Sequence, residues 1–136
     1  MKRELDEKLV AKYPEIFKNR KGSMKTTAMC WGFECGDGWY DLIDNLCDNL
    51  MKLSTEVDPP HVPVAVQVKE KFGTLRFYLE SGTDAQFDAC SDAGRASESI
   101  CETCGEPGKL RGGGWWYVAC DNHTDPEDLK EDVDLP

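Results

Sequence analysis

The longest amphipathic segment of the chain runs from Trp39 to Leu53. Its apolar residues recur every three or four positions and form one stripe, while Asp and Asn residues occupy the other side. This pattern predicts an α-helix that buries one face. Asp37 stands where the N-cap of such a helix is expected, so its carboxylate is predicted to cap the first turn.

Two shorter stretches also predict helices. Residues 3–17 carry apolar side chains at helical intervals, but Pro14 lacks a backbone N–H and predicts a kink or break near Tyr13. Residues 85–100 contain no proline and have a weak apolar stripe. A helix is therefore expected on each side of the central part of the chain.

Strand patterns occupy the middle of the chain. Valines alternate with other residues between positions 62 and 68, and a second alternating run extends from Thr74 to Leu79. Gly73 lies between the runs and predicts the turn of an antiparallel hairpin. Because a lone hairpin is only marginally stable, we expect the long helix to pack on its apolar face. The predicted fold class is α+β, with a long amphipathic helix packed on a small antiparallel sheet.

The last third of the chain has the spacing of a metal site. Cys101 and Cys104 are separated by two residues and followed by Gly105, and Cys120 and His123 form a second pair after fifteen intervening residues. Two residues between ligands let a tight turn aim both side chains at one ion. Four protein ligands close a tetrahedron, which is typical of structural zinc. The pattern predicts one structural Zn²⁺ in a C-terminal zinc-ribbon-like module, with a hairpin between the two pairs.

Composition narrows the classes of function. The 136 residues carry a net charge of −10, and residues 26–136 hold 22 acidic side chains against eight Lys and Arg. General binding to nucleic-acid phosphates needs a positive surface, so this class is disfavoured, although a local basic patch is not excluded. No segment approaches the roughly 20 apolar residues of a membrane span, and the first residues lack a signal-peptide core. We therefore expect a cytoplasmic protein without membrane contact.

The seven cysteines favour metal ligation over disulfides. An odd number cannot pair completely, and a reducing compartment disfavours disulfides. Cys30 and Cys35 frame a short segment that has no clear second pair of ligands. A second metal and a redox role remain alternatives for them, with structural burial favoured. Cys47 lies in the apolar stripe of the long helix and is expected to be a core residue.

Two stretches combine cations with aromatic side chains. If they meet in space, they form a positive, aromatic-lined patch that suits a phosphate, a base or an acidic protein surface. Alternatively, the aromatic rings belong to the core and the cations are solvated or paired with acids. The ligand-binding candidates are Lys69, Lys71, Arg76, Lys109, Arg111, Trp115 and Trp116.

No catalytic set can be located. His61 lies in a proline-flanked loop without an evident partner, and the other histidine is assigned to the metal. We therefore expect a protein that is not an enzyme, and no catalytic residue is named.

Three long motifs stand out beyond these patterns: CWGFECGDGW at 30–39, VKEKFGTLRFY at 68–78, and C-x₂-C-G followed by C-x₂-H at 101–123. Together they resemble a family of small uncharacterised proteins encoded by bacteriophages and prophages. The resemblance covers about residues 13–123. It implies a phage accessory protein acting in the bacterial cytoplasm, and it supplies no activity.

Three functional hypotheses follow. The leading one is a phage-encoded zinc-binding accessory protein that binds and modulates a host protein, such as a defence or nucleic-acid-handling factor. The second is a nucleotide or nucleic-acid binding module that uses the cationic-aromatic patch. The third is a metal-dependent nuclease, which would need a second metal held by carboxylates.

The expected organisation is an α+β core over residues 1–100, the zinc-ribbon module over 101–123 and an acidic tail over 124–136.

Overall fold

The computed structural model describes residues 1–112 and 114–129. Helices, two small sheets and short 3₁₀ turns follow one another along the chain, so the fold is mixed α+β, as predicted. The helices are α1 (Arg3–Lys12), α2 (Tyr40–Ser54) and α3 (Asp84–Ser97). The strands are β1 (Phe33–Glu34), β2 (Ala65–Lys71), β3 (Thr74–Leu79), β4 (Lys109–Arg111) and β5 (Tyr117–Ala119).

The larger sheet contains β1, β2 and β3 in that order. β2 and β3 pair antiparallel, with Lys71 opposite Thr74. The two residues between them, Phe72 and Gly73, have φ values of 55° and 85°. Positive φ at both turn positions matches the twist of a hairpin, so the predicted turn is confirmed. β1 adds in parallel to β2, and the sheet is therefore mixed instead of wholly antiparallel.

One buried cluster joins the helices to this sheet. Trp39, Ile43 and Leu50 are fully buried at or in α2, and they share the cluster with Val68 and Phe77 of the sheet. The backbone of α3 lies against β3, and α2 lies against α3. Direct packing of the long helix α2 on the sheet stays a prediction.

The predicted N-cap of α2 is wrong. A 3₁₀ turn, Asp37–Trp39, precedes α2, and no side chain in the described part of the molecule caps this helix. The Asp37 carboxylate instead accepts a hydrogen bond from the N–H of Lys2, at 2.7 Å, just before α1. Asp37 therefore binds the backbone at the start of α1 instead of capping α2. By contrast, Thr83 and Gln86 form a reciprocal capping box at the start of α3.

The first helix is shorter than the predicted 3–17 and ends at Lys12, next to the expected break at Tyr13. The Tyr13 hydroxyl donates to Asp44 Oδ1 at 2.6 Å, which ties this segment to α2. No helix among the described residues is long and apolar enough to cross a membrane. Most of the predicted acidic tail at 124–136 lies outside the described residues.

Candidate metal centre

The first pair of candidate ligands, Cys101 and Cys104, lies in a tight turn shortly after α3. Gly105 N donates to Cys101 O at 2.8 Å and Cys101 N donates to Glu106 O at 2.7 Å. Gly105 has a φ of 83°, a conformation that glycine adopts without a steric penalty. The turn therefore closes on itself and presents both thiols from one short loop.

The second pair follows the hairpin that the sequence predicted. β4 and β5 pair antiparallel, with Leu110 opposite Val118. Cys120 comes directly after β5, and His123 ends a 3₁₀ turn. Glu102 N, from the first turn, donates to Val118 O at 3.0 Å. This bond fixes the first ligand pair beside the strand that delivers the second.

The four ligand atoms are close enough to share one ion, since all lie within 4.8 Å of one another. The Cys104 and Cys120 sulfurs are 3.7 Å apart. His123 Nδ1 lies 3.7 Å from the Cys101 sulfur and 3.2 Å from the Cys120 sulfur. A tetrahedron with the usual zinc bond lengths has S–S edges of about 3.8 Å and S–N edges of about 3.5 Å. Three of the six distances between ligand atoms are therefore close to the edges of a tetrahedral metal site, and none exceeds 4.8 Å.

The electrostatics of the two thiols in the first turn differ. Burial raises the pKa of Cys101, but backbone hydrogen bonds from Cys120, Cys104 and Thr103 outweigh it and lower that pKa to about 6. At Cys104 the backbone hydrogen bond from Glu106 lowers the pKa, yet burial and the neighbouring thiols leave it raised. Ionisation of one thiol disfavours ionisation of the next, and a bound divalent cation removes that penalty.

Comparison with protein-family models, curated proteins and solved structures finds no match to this chain. The geometry alone must therefore identify metal sites. Across 1–112 and 114–129, the cluster ending at His123 is the one group of three or more His, Cys, Asp and Glu side chains near enough to share an ion. Cys30 and Cys35 lie outside it, and burial raises the pKa of Cys35 to about 12, which keeps its thiol protonated.

The segment before α2 packs directly on the first ligand turn. Gly38 N donates to Glu102 O at 2.7 Å, and Gly36 N donates to the Glu102 carboxylate at 2.8 Å. Trp39 Nε1 donates, at 2.9 Å, to the carbonyl of the residue before Cys101. A Cβ on Gly38 would lie 2.1 Å from Cys101 O, so the contact requires glycine. Sequence reasoning missed this role, although two glycines beside a tryptophan are the signal of a close backbone approach.

Arg111 is not available as a surface ligand, contrary to the prediction. It is only 4 % exposed, its guanidinium pairs with Asp121 at 2.8 Å and its Nε donates to Ala119 O at 3.3 Å. Because Asp121 directly follows Cys120, this interaction braces the backbone that carries the second ligand pair. Arg111 is therefore a structural residue of the metal hairpin.

The remaining candidates divide between two places. Lys71, Trp115 and Trp116 line one cavity of about 350 Å³, which we call the aromatic cavity; its other lining residues are Glu70, Phe72 and Gly114. Lys71 from the first cationic-aromatic stretch and the two tryptophans from the second share this cavity, but the other four cationic candidates do not line it. Lys69 and Arg76 face each other across β2 and β3 and do not line this cavity, and neither does the exposed Lys109.

Proposed function

We propose that the protein is a zinc-stapled binding protein whose metal is structural. The observation that carries this is the set of three thiols and one imidazole within 4.8 Å of one another. Four protein ligands fill a tetrahedron and leave no position for a reactive water, whereas catalytic zinc keeps one open. Zinc would be held by Cys101, Cys104, Cys120 and His123, where it supplies cross-linking and charge neutralisation.

The binding surface we propose is the aromatic cavity. Trp115 is 77 % exposed, Phe72 is 67 % exposed and Trp116 is 42 % exposed. Exposed tryptophans are costly to solvate and are the side chains most often found at the energetic centre of protein interfaces. The cavity holds both Lys71 and Glu70, so its charge is balanced and suits a protein surface better than a polyphosphate.

The hairpin that carries both tryptophans is closed by the metal ligands. A Cβ on Gly73 would lie 2.7 Å from Leu110 Cδ1, so the β2–β3 turn also rests on this hairpin. Metal binding therefore positions the cavity. We propose, with the phage resemblance, that the partner is a bacterial host protein and that binding modulates it in the cytoplasm.

The test is affinity capture from bacterial extract with zinc-loaded protein. Trp115→Ala is expected to weaken recovery of a specific partner about 30-fold, the equivalent of about 2 kcal/mol at an interface centre. Trp31→Ala is the matched control, because Trp31 is 60 % exposed on a different surface. Equal recovery with Trp115→Ala, or no partner specific to the wild type, contradicts the proposal.

A nucleotide or single-stranded nucleic acid is the second candidate, because Lys71 lies beside exposed aromatic rings on which a base can stack. Fluorescence titration of the tryptophans with oligonucleotides at low salt tests it.

We further propose that the protein has no nuclease activity. Magnesium- or manganese-dependent cleavage of DNA or RNA by the purified chain contradicts that view.

A further inference from the structure

The outer edge of the three-stranded sheet is partly unpaired. β3 is an edge strand, and Lys71 and Thr74 flank a two-residue turn, so they form a hydrogen-bonded pair. Bonded and non-bonded pairs alternate along an antiparallel ladder. Phe77, opposite Val68, therefore points its backbone N–H and C=O away from β2. Among the described residues, no loop or side-chain group bonds these two atoms.

The hydrogen bond of Leu75, two residues before Phe77, confirms this backbone orientation. The backbone N–H and C=O of Leu75 point away from β2, as those of Phe77 do. The Leu75 N–H donates to Ser97 Oγ at 2.9 Å, outside the sheet. α3 also approaches the strand closely here, since a Cβ on Gly94 would lie 3.1 Å from Leu75 O. The edge of β3 is thus closed by α3 at Leu75 and open at Phe77.

A groove of about 400 Å³ runs along this open edge. Its strand side is β3, and its helix side is one stripe of α3 that includes Phe87, Cys90 and Ser91. Phe87 is 44 % exposed, and Tyr78, on the strand side, is 41 % exposed. An edge strand facing a helix, with apolar side chains between them, is the geometry that accepts an extended peptide as an additional strand.

Three charged side chains line the groove: Arg76 on the strand side, and Arg95 and Glu98 on the helix side. Arg95 pairs with Asp92, and among the described residues Glu98 forms no ion pair with Arg76. The cations of the strand side therefore indicate what the peptide carries there. Lys69 lies directly opposite Arg76 on β2 and β3, and like charges at opposed positions destabilise a sheet. Within the described part of the chain, neither cation forms an ion pair. Among the residues that the structure describes, Arg76 Nε is buried without a hydrogen-bond partner. An anionic side chain at this place would satisfy the buried N–H and relieve the repulsion.

We propose that the groove between β3 and α3 binds an extended segment of a partner protein by strand addition, with alternating apolar and acidic side chains. The backbone of the segment pairs with the N–H and C=O of Phe77. Because side chains alternate along a strand, apolar ones point to Phe87 and Cys90 while acidic ones point to Lys69 and Arg76. The groove is separate from the aromatic cavity, so the two surfaces can be tested independently.

The probe is a fluorescein-labelled heptapeptide of alternating valine and glutamate, with a scrambled peptide of the same composition as control. We expect saturable binding of the alternating peptide to the zinc-loaded chain, at least tenfold tighter than the scramble. N-methylation of the peptide amides on one edge abolishes binding, and N-methylation on the other edge does not. Equal binding of both peptides, or insensitivity to N-methylation of either edge, overturns the proposal.

Variants locate the site. Ser91→Trp fills the groove from an exposed helical position and is expected to weaken binding at least tenfold, whereas Asp88→Trp, exposed on the same helix outside the groove, leaves it unchanged. Arg76→Gln reduces both affinity and its salt dependence. Trp115→Ala leaves peptide binding intact, which separates this proposal from the aromatic cavity. Full binding by Ser91→Trp, or displacement of the peptide by a single-stranded oligonucleotide, overturns strand addition.

Discussion

Gly38→Ala is expected to loosen the whole domain, because this position joins the metal hairpin to the helical part of the fold. The added Cβ would lie 2.1 Å from Cys101 O and 2.6 Å from Gly105 N, both backbone atoms of the ligand turn. Relieving such overpacking costs about 1–3 kcal/mol. The same movement breaks the 2.7 Å hydrogen bond from Gly38 N to Glu102 O, worth about 1 kcal/mol. The predicted loss of unfolding free energy is therefore about 2–4 kcal/mol.

Urea unfolding of the zinc-loaded protein measures this loss, with the slope m checked for constancy. Gly114→Ala is the matched control, since a Cβ there meets nothing within 4 Å, and its change is expected to stay within about 0.5 kcal/mol. Zinc affinity should fall together with stability in Gly38→Ala, because the clash falls on the ligand turn. A Gly38→Ala protein as stable as Gly114→Ala would refute the close docking of this segment.

Three further predictions address the site and the core. Cys101→Ser should lower both the bound zinc and the melting temperature, measured by elemental analysis and calorimetry, because it removes a buried ligand. Arg111→Leu should destabilise the protein by about 1–3 kcal/mol in urea, whereas Asp121→Asn, at a mostly exposed carboxylate, should cost less. The pKa of Tyr13 is raised to about 12, mainly by burial and then by the hydrogen bond to Asp44. Because tyrosine in the unfolded chain ionises at a lower pH, the free energy of unfolding falls between about pH 10 and 12. This alkaline loss, followed by urea unfolding at each pH, should be smaller in Tyr13→Phe.

Local patterns explain what the sequence could predict. Cys101 and Cys104 lie two residues apart, and a turn needs no distant partner to aim them together. The β2–β3 hairpin likewise depends on neighbouring residues, with Gly73 at a position that requires positive φ. Both features were predicted at the correct place. The capping box at Thr83 is local too and sets the start of α3.

Long-range contacts explain what the sequence could not predict. β1 has two residues, and its pairing of Phe33 with Val68 joins segments far apart in the chain. Asp37 has the side chain of an N-cap, but the N–H of Lys2 is the donor it accepts. Arg111 is cationic and lies in a short strand, and its contacts with Asp121 and Ala119 across the hairpin make its burial favourable. For β1 and Asp37 the deciding atom comes from a distant part of the chain, and for Arg111 it comes from across the hairpin.

The most direct test of the metal centre is X-ray absorption at the zinc edge, combined with elemental analysis of protein purified without chelators. The account predicts one zinc per chain, coordinated by three sulfurs at about 2.3 Å and one nitrogen at about 2.0 Å. A protein without metal, or a zinc shell that contains fewer sulfurs and a water oxygen, contradicts a closed structural site at Cys101, Cys104, Cys120 and His123.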